Sequence, residues 1–340
     1  MIYRKYFILI ITCFIVIYFS GCKDSSTGPS SGGSSHMSLV GAYNTPDYAN
    51  GVSVLNVNSL HYAFVADNAS GLQIINVTNP TSPARISSFN TGGTALDVST
   101  ASVNNGNYAF ISDGNNGLVI INVTNITSPV IDTTLHFQND IVLTSFADAG
   151  NKVLYVGTYY GYIYIYNLAN LPNSVSRYSV YSSPLDHIYG ITVSNGLAYI
   201  AENSLGMEIV NVMNPSAPIN VSYYDTPGNS YDVKIGDIYA YVADGSSLYI
   251  VNVSNPFSPT FAGQVSTEGA AYYGVALNYP FQAFTADYEL GVETFALSSP
   301  SNPQQVGYYN TSYLAGNITY ANSYIFVADG ADGLLILAFN

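Results

Sequence analysis

The sequence predicts an all-β protein, a seven-bladed β-propeller with four-stranded antiparallel blades, closed by an N-terminal strand that completes the last blade. Three observations predict it. Of the 340 residues only 8 % are charged, against roughly a quarter in an ordinary soluble domain, while 48 % are hydrophobic and 32 are Tyr. The recurring runs are Val, Ile, Tyr and Phe, punctuated by 29 Gly and 15 Pro, which suits pleated strands joined by turns and excludes a helical bundle. Above all, one phrase returns seven times: YAFVAD from Tyr62, YAFISD from Tyr108, VLYVGT from Val153, LAYIAE from Leu197, YAYVAD from Tyr239, QAFTAD from Gln282 and YIFVAD from Tyr324. The steps are 46, 45, 44, 42, 43 and 42 residues, so each unit holds about four short strands.

Taken in order, the chain begins with an address. Arg4 and Lys5 precede a 13-residue apolar core, Phe7 to Phe19, which is too short for a membrane span of about 20 residues and fits a signal peptide over residues 1–21. The run Phe19-Ser20-Gly21-Cys22 resembles the lipobox of bacterial lipoproteins, with Phe19 where Leu is usual. That resemblance implies that Cys22 is lipidated and becomes the new N-terminus. The only other Cys, Cys13, lies inside the signal, so no disulfide or thiolate metal site is expected in the body. Residues 22–38, KDSSTGPSSGGSSHMS after the Cys, are Gly/Ser-rich and read as a flexible tether.

The body is expected over residues 39–340. Within each unit the phrase is followed by a turn, a second strand such as GLQIINV or GMEIVNV, and a break such as NPTSP at Asn79, NPSAP at Asn214 or NPFSP at Asn255. A third strand ends in a turn like Asp225-Thr226-Pro227-Gly228, and a fourth leads to the next phrase. The phrases are apolar on both faces, as a sheet sandwiched between two neighbours requires. The last unit stops at GLLILAF, while Leu39 to Pro46 supplies a strand of the missing type ahead of the first full phrase. This N-terminal strand is therefore expected to form the outer edge of the last blade, leaving no unpaired edge. The unit resembles the LVIVD repeat, a family of bacterial and archaeal cell-surface propellers named for the strand seen here as Leu118-Val119-Ile120-Ile121-Asn122. The resemblance implies a propeller outside the cytoplasm and no catalytic activity.

Candidate site residues follow from the repeat columns. Aligning the strands ahead of each phrase gives Gly51, Asp97, Thr144, Gly190, Asp232, Gly274 and Gly316, a set small enough for seven backbones converging on an axis. Asp97 and Asp232 stand out, and two readings are open: they face each other across a channel and hold a cation or an amine, or they stay solvated or bonded to backbone. A second column, Asp67, Asp113, Thr158, Glu202, Asp244, Asp287 and Asp329, reads as turn chemistry, each carboxylate accepting backbone N–H groups two residues on. Tyr48, Tyr159, Tyr160, Tyr288 and Tyr313, with His187, fall in predicted loops, where amphipathic rings on rigid supports suit sugars or partner pockets. Eight N-x-S/T sequons occur, but Asn76, Asn122 and Asn252 are the repeated end of one strand. The histidines of the body are scattered among different blades, no nucleophile elbow or phosphate loop appears, and neither a metal nor a cofactor is expected.

After residue 21 there are five basic and 21 acidic residues, a net charge of −16, which repels phosphate backbones and argues against nucleic acid as a partner. The function expected is a non-enzymatic, membrane-anchored scaffold of the cell envelope, held by lipid on Cys22, with the outer membrane favoured and its face periplasmic or extracellular. Its partner would be an envelope protein or a glycan. The alternatives are a Ca-dependent propeller hydrolase or lyase using the channel carboxylates, and a structural surface-layer component.

Overall fold

The computed structural model describes residues 36–183, 187–266, 272–288 and 290–339. The signal segment, Cys22 and the tether up to residue 35 lie outside the described residues. Strand β1 (Met37–Tyr43) comes first. Then β2–β5 (Gly51–Val57, Leu60–Ala66, Leu72–Asn76, Ala84–Phe89) form blade one and β6–β9 (Asp97–Val103, Gly106–Ser112, Leu118–Asn122, Val130–Leu135) blade two. Blades three and four are β10–β13 (Val142–Asp148, Val153–Thr158, Tyr162–Asn167, Ser176–Ser182) and β14–β17 (Gly190–Ser194, Leu197–Ala201, Met207–Asn211, Ile219–Tyr224). Blades five and six are β18–β21 (Asp232–Gly236, Tyr239–Ala243, Leu248–Asn252, Thr260–Val265) and β22–β25 (Tyr272–Asn278, Gln282–Asp287, Gly291–Ala296, Gln304–Tyr309). Blade seven takes β26–β28 (Asn317–Ala321, Tyr324–Ala328, Leu334–Phe339) and is completed by β1, in the order β26-β27-β28-β1. All seven sheets have four antiparallel strands, as the repeat spacing predicts.

Alternation of side chains explains why charge is so scarce. Within β3, Phe64 packs with Ile111 and Val119 of blade two, whereas its neighbours Ala63 and Val65 pack with Phe326 and Ile336 of blade seven. Seven such apolar clusters fill the seven interfaces between blades. Both faces of every central strand are thus interior, and a polar residue on either face would need a partner there. Hairpins between the first two strands of a blade turn on residue pairs such as Asn58-Ser59 and Asn104-Asn105, both at positive φ, which matches the right-handed twist of the strands they join. At the rim, the breaks between the third and fourth strands are clamped by the preceding blade: Ser87, Ser179 and Ser222 each donate a hydroxyl, at 2.6 Å, to the carbonyls of Ile126, Pro215 and Pro256, Ile126 standing where the other two breaks have Pro.

Two boundaries differ from expectation. The tether was expected to run to Ser38, but β1 begins at Met37, whose side chain is buried between blades six and seven and receives the Thr294 hydroxyl on its sulfur. In the ring column, blade seven contributes Asn317 rather than Gly316, because Asn317 is the residue opposite Ala328, as Asp232 is opposite Ala243. Gly316 takes the place held by Asn50 and Tyr231 in their blades, its N–H bonding the Ala328 carbonyl as theirs bond those of Ala66 and Ala243.

Candidate functional site

In a four-stranded up-and-down sheet, the turn between the second and third strands and the connection to the next blade emerge at the same end. Every loop residue singled out above lies at that end. Tyr48 sits between β1 and β2, Tyr159 and Tyr160 between β11 and β12, His187 ahead of β14, Tyr288 between β23 and β24, and Tyr313 ahead of β26. The structure joins most of them into one collar through three residues that sequence reasoning missed, Tyr189, Tyr231 and Tyr273. Ring centroids follow one another from Tyr160 to Tyr159 (5.4 Å), His187 (3.6 Å, stacked), Tyr189 (6.1 Å), Tyr231 (5.3 Å), Tyr273 (4.3 Å, stacked) and Tyr288 (4.9 Å). Tyr48, whose ring covers Gly330, lies close to Tyr288 and to Tyr313. His187 is also tied through Nδ1 to the Tyr159 carbonyl.

A signal for the missed residues was available. Each of Tyr189, Tyr231 and Tyr273 stands one position ahead of the small-residue column, in three consecutive blades. Burial pushes the Tyr48 and Tyr273 hydroxyls well above the ordinary phenol range, and the neighbouring phenols add to it. Both therefore stay protonated and able to donate. Tyr160 and Tyr313 are the outward members, 59 % and 40 % exposed.

Beneath the collar lies the ring column, and its polar members work as latches between blades. Asp97 accepts its own blade's Val98 N–H and, through Oδ2, the Thr144 hydroxyl of the next blade at 2.9 Å. Asp232 accepts Val233 N–H at 2.8 Å and, across the interface, Val275 N–H at 3.1 Å. Asn317 does the same from blade seven, accepting Val52 N–H at 3.3 Å. The glycines explain themselves by contact: a Cβ on Gly51 would meet the Asp97 backbone at 2.9 Å, and one on Gly190 the Asp232 backbone at 2.8 Å. Lys234 sits on Asp232 at 2.7 Å, so the amine that might have come from a ligand is the chain's own. Desolvation holds the Asp97 carboxyl above the usual carboxylate range, opposed by Thr144 and Val98, with Asp232 adding and Lys234 subtracting a smaller effect. Among the described residues, no group of three or more His, Cys, Asp or Glu is placed to hold a metal ion.

The buried acidic column does more than turn chemistry. Asp113 accepts the Thr91 hydroxyl at 2.7 Å and the Asn116 amide at 2.7 Å, and Asp67 accepts Asp47 N–H, so both tie the strand end to the connection 20 or more residues upstream. Asp244 accepts N–H two residues on, from Ser246 at 3.1 Å, and Asp287 accepts Leu290 N–H three residues on. The reason is geometric: the connection returns over the mouth and brings its Thr to the carboxylate before the turn can. Asn76, Asn122 and Asn252 of the sequons use Oδ1 to accept the N–H two residues on, which is a structural use of the repeated Asn.

The sequence of residues 48–91, 92–135, 188–226 and 227–267 matches the LVIVD repeat, and these stretches are blades one, two, four and five. The unmatched blades are those with a break in the pattern: β10 and β22 carry a bulge at their first residues, and blade seven is split between the two ends of the chain. No curated protein matches. Among solved structures, the fold is similar to the WD40 repeats of RRP9 (TM-score 0.71, 11 % identity, covering 89 % of this chain and 97 % of that one). It is also similar to U3-55K (0.72, 10 %, 89 % and 98 %) and to a chain of the mitotic checkpoint complex (0.70, 12 %, 94 % and 96 %). These likenesses concern the fold alone. With four matched repeats and seven blades built on the same unit, the chain is an LVIVD-repeat β-propeller.

Proposed function

We propose that the protein is a non-enzymatic scaffold of the cell envelope, anchored by lipid on Cys22, which binds a protein or glycan partner through the tyrosine collar. The observation that carries this reading is the continuity of the collar: eight rings on rigid strand ends and turns present a broad amphipathic surface that loses little side-chain entropy on binding. The channel acids support binding over catalysis, because Asp97 and Asp232 are engaged in holding blades together. An acidic body of net charge −16 favours partners with complementary or neutral surfaces.

Alanine at both Tyr160 and Tyr313 tests it. These two are exposed enough to be removed without loss of core, and the double variant should melt as the parent does. Partners captured from envelope extracts by the parent should be depleted about tenfold or more by the variant, as expected when aromatic anchors are lost. Equal capture by both proteins would remove the collar from the function.

A further inference from the structure

One blade within the collar departs from the repeat. The turn between second and third strands holds five residues in six blades, for example between the paired residues Ala66 and Leu72, Ser112 and Leu118, or Ala328 and Leu334. In blade five only four residues separate Ala243 from Leu248. What is missing is the glycine that ends the turn at positive φ in five of the other six blades, such as Gly71, Gly117 and Gly206. Shortening the turn changes the partners of its carboxylate. Asp67 and Asp113 reach to the upstream connection, whereas Asp244 turns inward and Oδ1 alone accepts the N–H and hydroxyl groups of Ser246 and Ser247, at 2.7–3.1 Å. The threonine that would have met it, Thr226, bonds Ser230 instead at 2.9 Å. Asp244 Oδ2 is left buried with no hydrogen-bond partner.

At the same place the structure opens a cleft of about 280 Å³ between Gly228, Asn229, Asp244, Gly245 and Ser246, walled by the stacked rings of Tyr231 and Tyr273. Among the described residues, no Lys or Arg lines it. A half-engaged buried carboxylate beside two electron-rich rings, on a body of net charge −16, is matched by a cation that can both pair with the oxygen and rest against the rings. A neutral sugar would supply hydroxyl donors but leave the charge unmatched, and an anion would be repelled.

We propose that this cleft is a site for the cationic side chain, guanidinium or ammonium, of a basic segment on a protein partner. The inference rests on the binding-scaffold reading and names the partner chemistry at one point of the collar. A ligand seated there completes the bonding of Asp244 Oδ2.

The test is calorimetric titration of the full-length protein with acetyl-Gly-Arg-Gly-amide, its lysine counterpart, a citrulline counterpart that keeps the shape of arginine without its charge, and a neutral chito-oligosaccharide. The arginine or lysine peptide should bind about tenfold or more tightly than the citrulline one, and Asp244→Asn should erase that difference. Inserting a Gly between Ser247 and Leu248, which restores the five-residue turn, should abolish peptide binding while keeping or raising the melting temperature; this variant carries the test if Asp244→Asn folds poorly. Equal binding of arginine and citrulline peptides, tighter binding of the sugar, no binding of either cationic peptide, or indifference to both variants would each overturn the proposal. If the Tyr160 and Tyr313 variant loses the envelope partner while the cationic peptides do not bind, the cleft inference fails and the scaffold reading stands.

Discussion

Asp97 illustrates how one residue serves both packing and charge in the ring. Its Oδ2 latches blade two to blade three while Oδ1 holds its own blade's Val98 N–H, yet desolvation raises its pKa, and burial does the same to Asp67 and Asp113. For an acid whose folded pKa is raised, the folded state holds its proton to higher pH than the unfolded chain does. The stabilisation is therefore complete below the ordinary carboxylate value of about 4 and is lost as pH rises through the raised value. The melting temperature should fall as pH rises from about 4 through the raised carboxylate values, a trend that relief of self-repulsion at net charge −16 reinforces. Asn317 shows that an amide fits this column, and the Thr144 hydroxyl can accept as well as donate. Asp97→Asn should therefore stay folded, melt about 2 °C or more higher at pH 7 than the parent, and show a shallower pH dependence. Parallel pH dependences by scanning calorimetry would show that Asp97 does not contribute. The column itself was readable from spacing, but the direction in which its acids bond was not, since that depends on how the next blade's backbone lies against them. Tyr231 and Tyr273 were hidden for a similar reason: among 32 Tyr, only the register separates those at the mouth from those in the interfaces.

At the scale of elements, β1 is the strand that the repeat arithmetic placed most firmly and whose start it misjudged. Its partner β28 was evident from the missing third strand of the last unit, and the structure pairs Met37 with Phe339 through Tyr43 with Leu334. Met37 escaped notice because it follows a run of Ser, Gly and His; what recruits it is the gap between Phe284 and Leu337, which needs an apolar filler. Bulges at the starts of β10 and β22 were equally invisible, as an extra residue leaves the period of a 42- to 46-residue unit within its normal spread. Removing residues 36–43 withdraws a whole edge strand and one buried Met side chain, which alone is worth about 2–3 kcal/mol. The melting temperature should drop by roughly 6–12 °C. A truncated body that melts with the parent would mean that blade seven does not depend on its fourth strand. Met37→Ala, measured alongside, should account for about half of the loss.

For the whole molecule, the prediction concerns where it resides. Lipid on Cys22 would confer stable membrane association through several acyl chains, where one chain is marginal. Cys22→Ser should move the protein from the membrane pellet to the soluble fraction and remove the mass of the lipid; retention in the pellet at the parent's mass would assign the anchoring to another segment. The closure of the ring has a consequence for how the protein is made. β1 is among the first parts of the body to be synthesised, and the residues it pairs with come some 300 positions later. At about 5–20 residues per second, β1 waits on the order of 15–60 s for its partner. Throughout that interval the nascent chain holds a stack of completed blades with open flanks, so the newly made protein is most vulnerable to misassembly just before Leu334–Phe339 is added, and a delay in translation or export near that point should be tolerated less well than the same delay anywhere earlier.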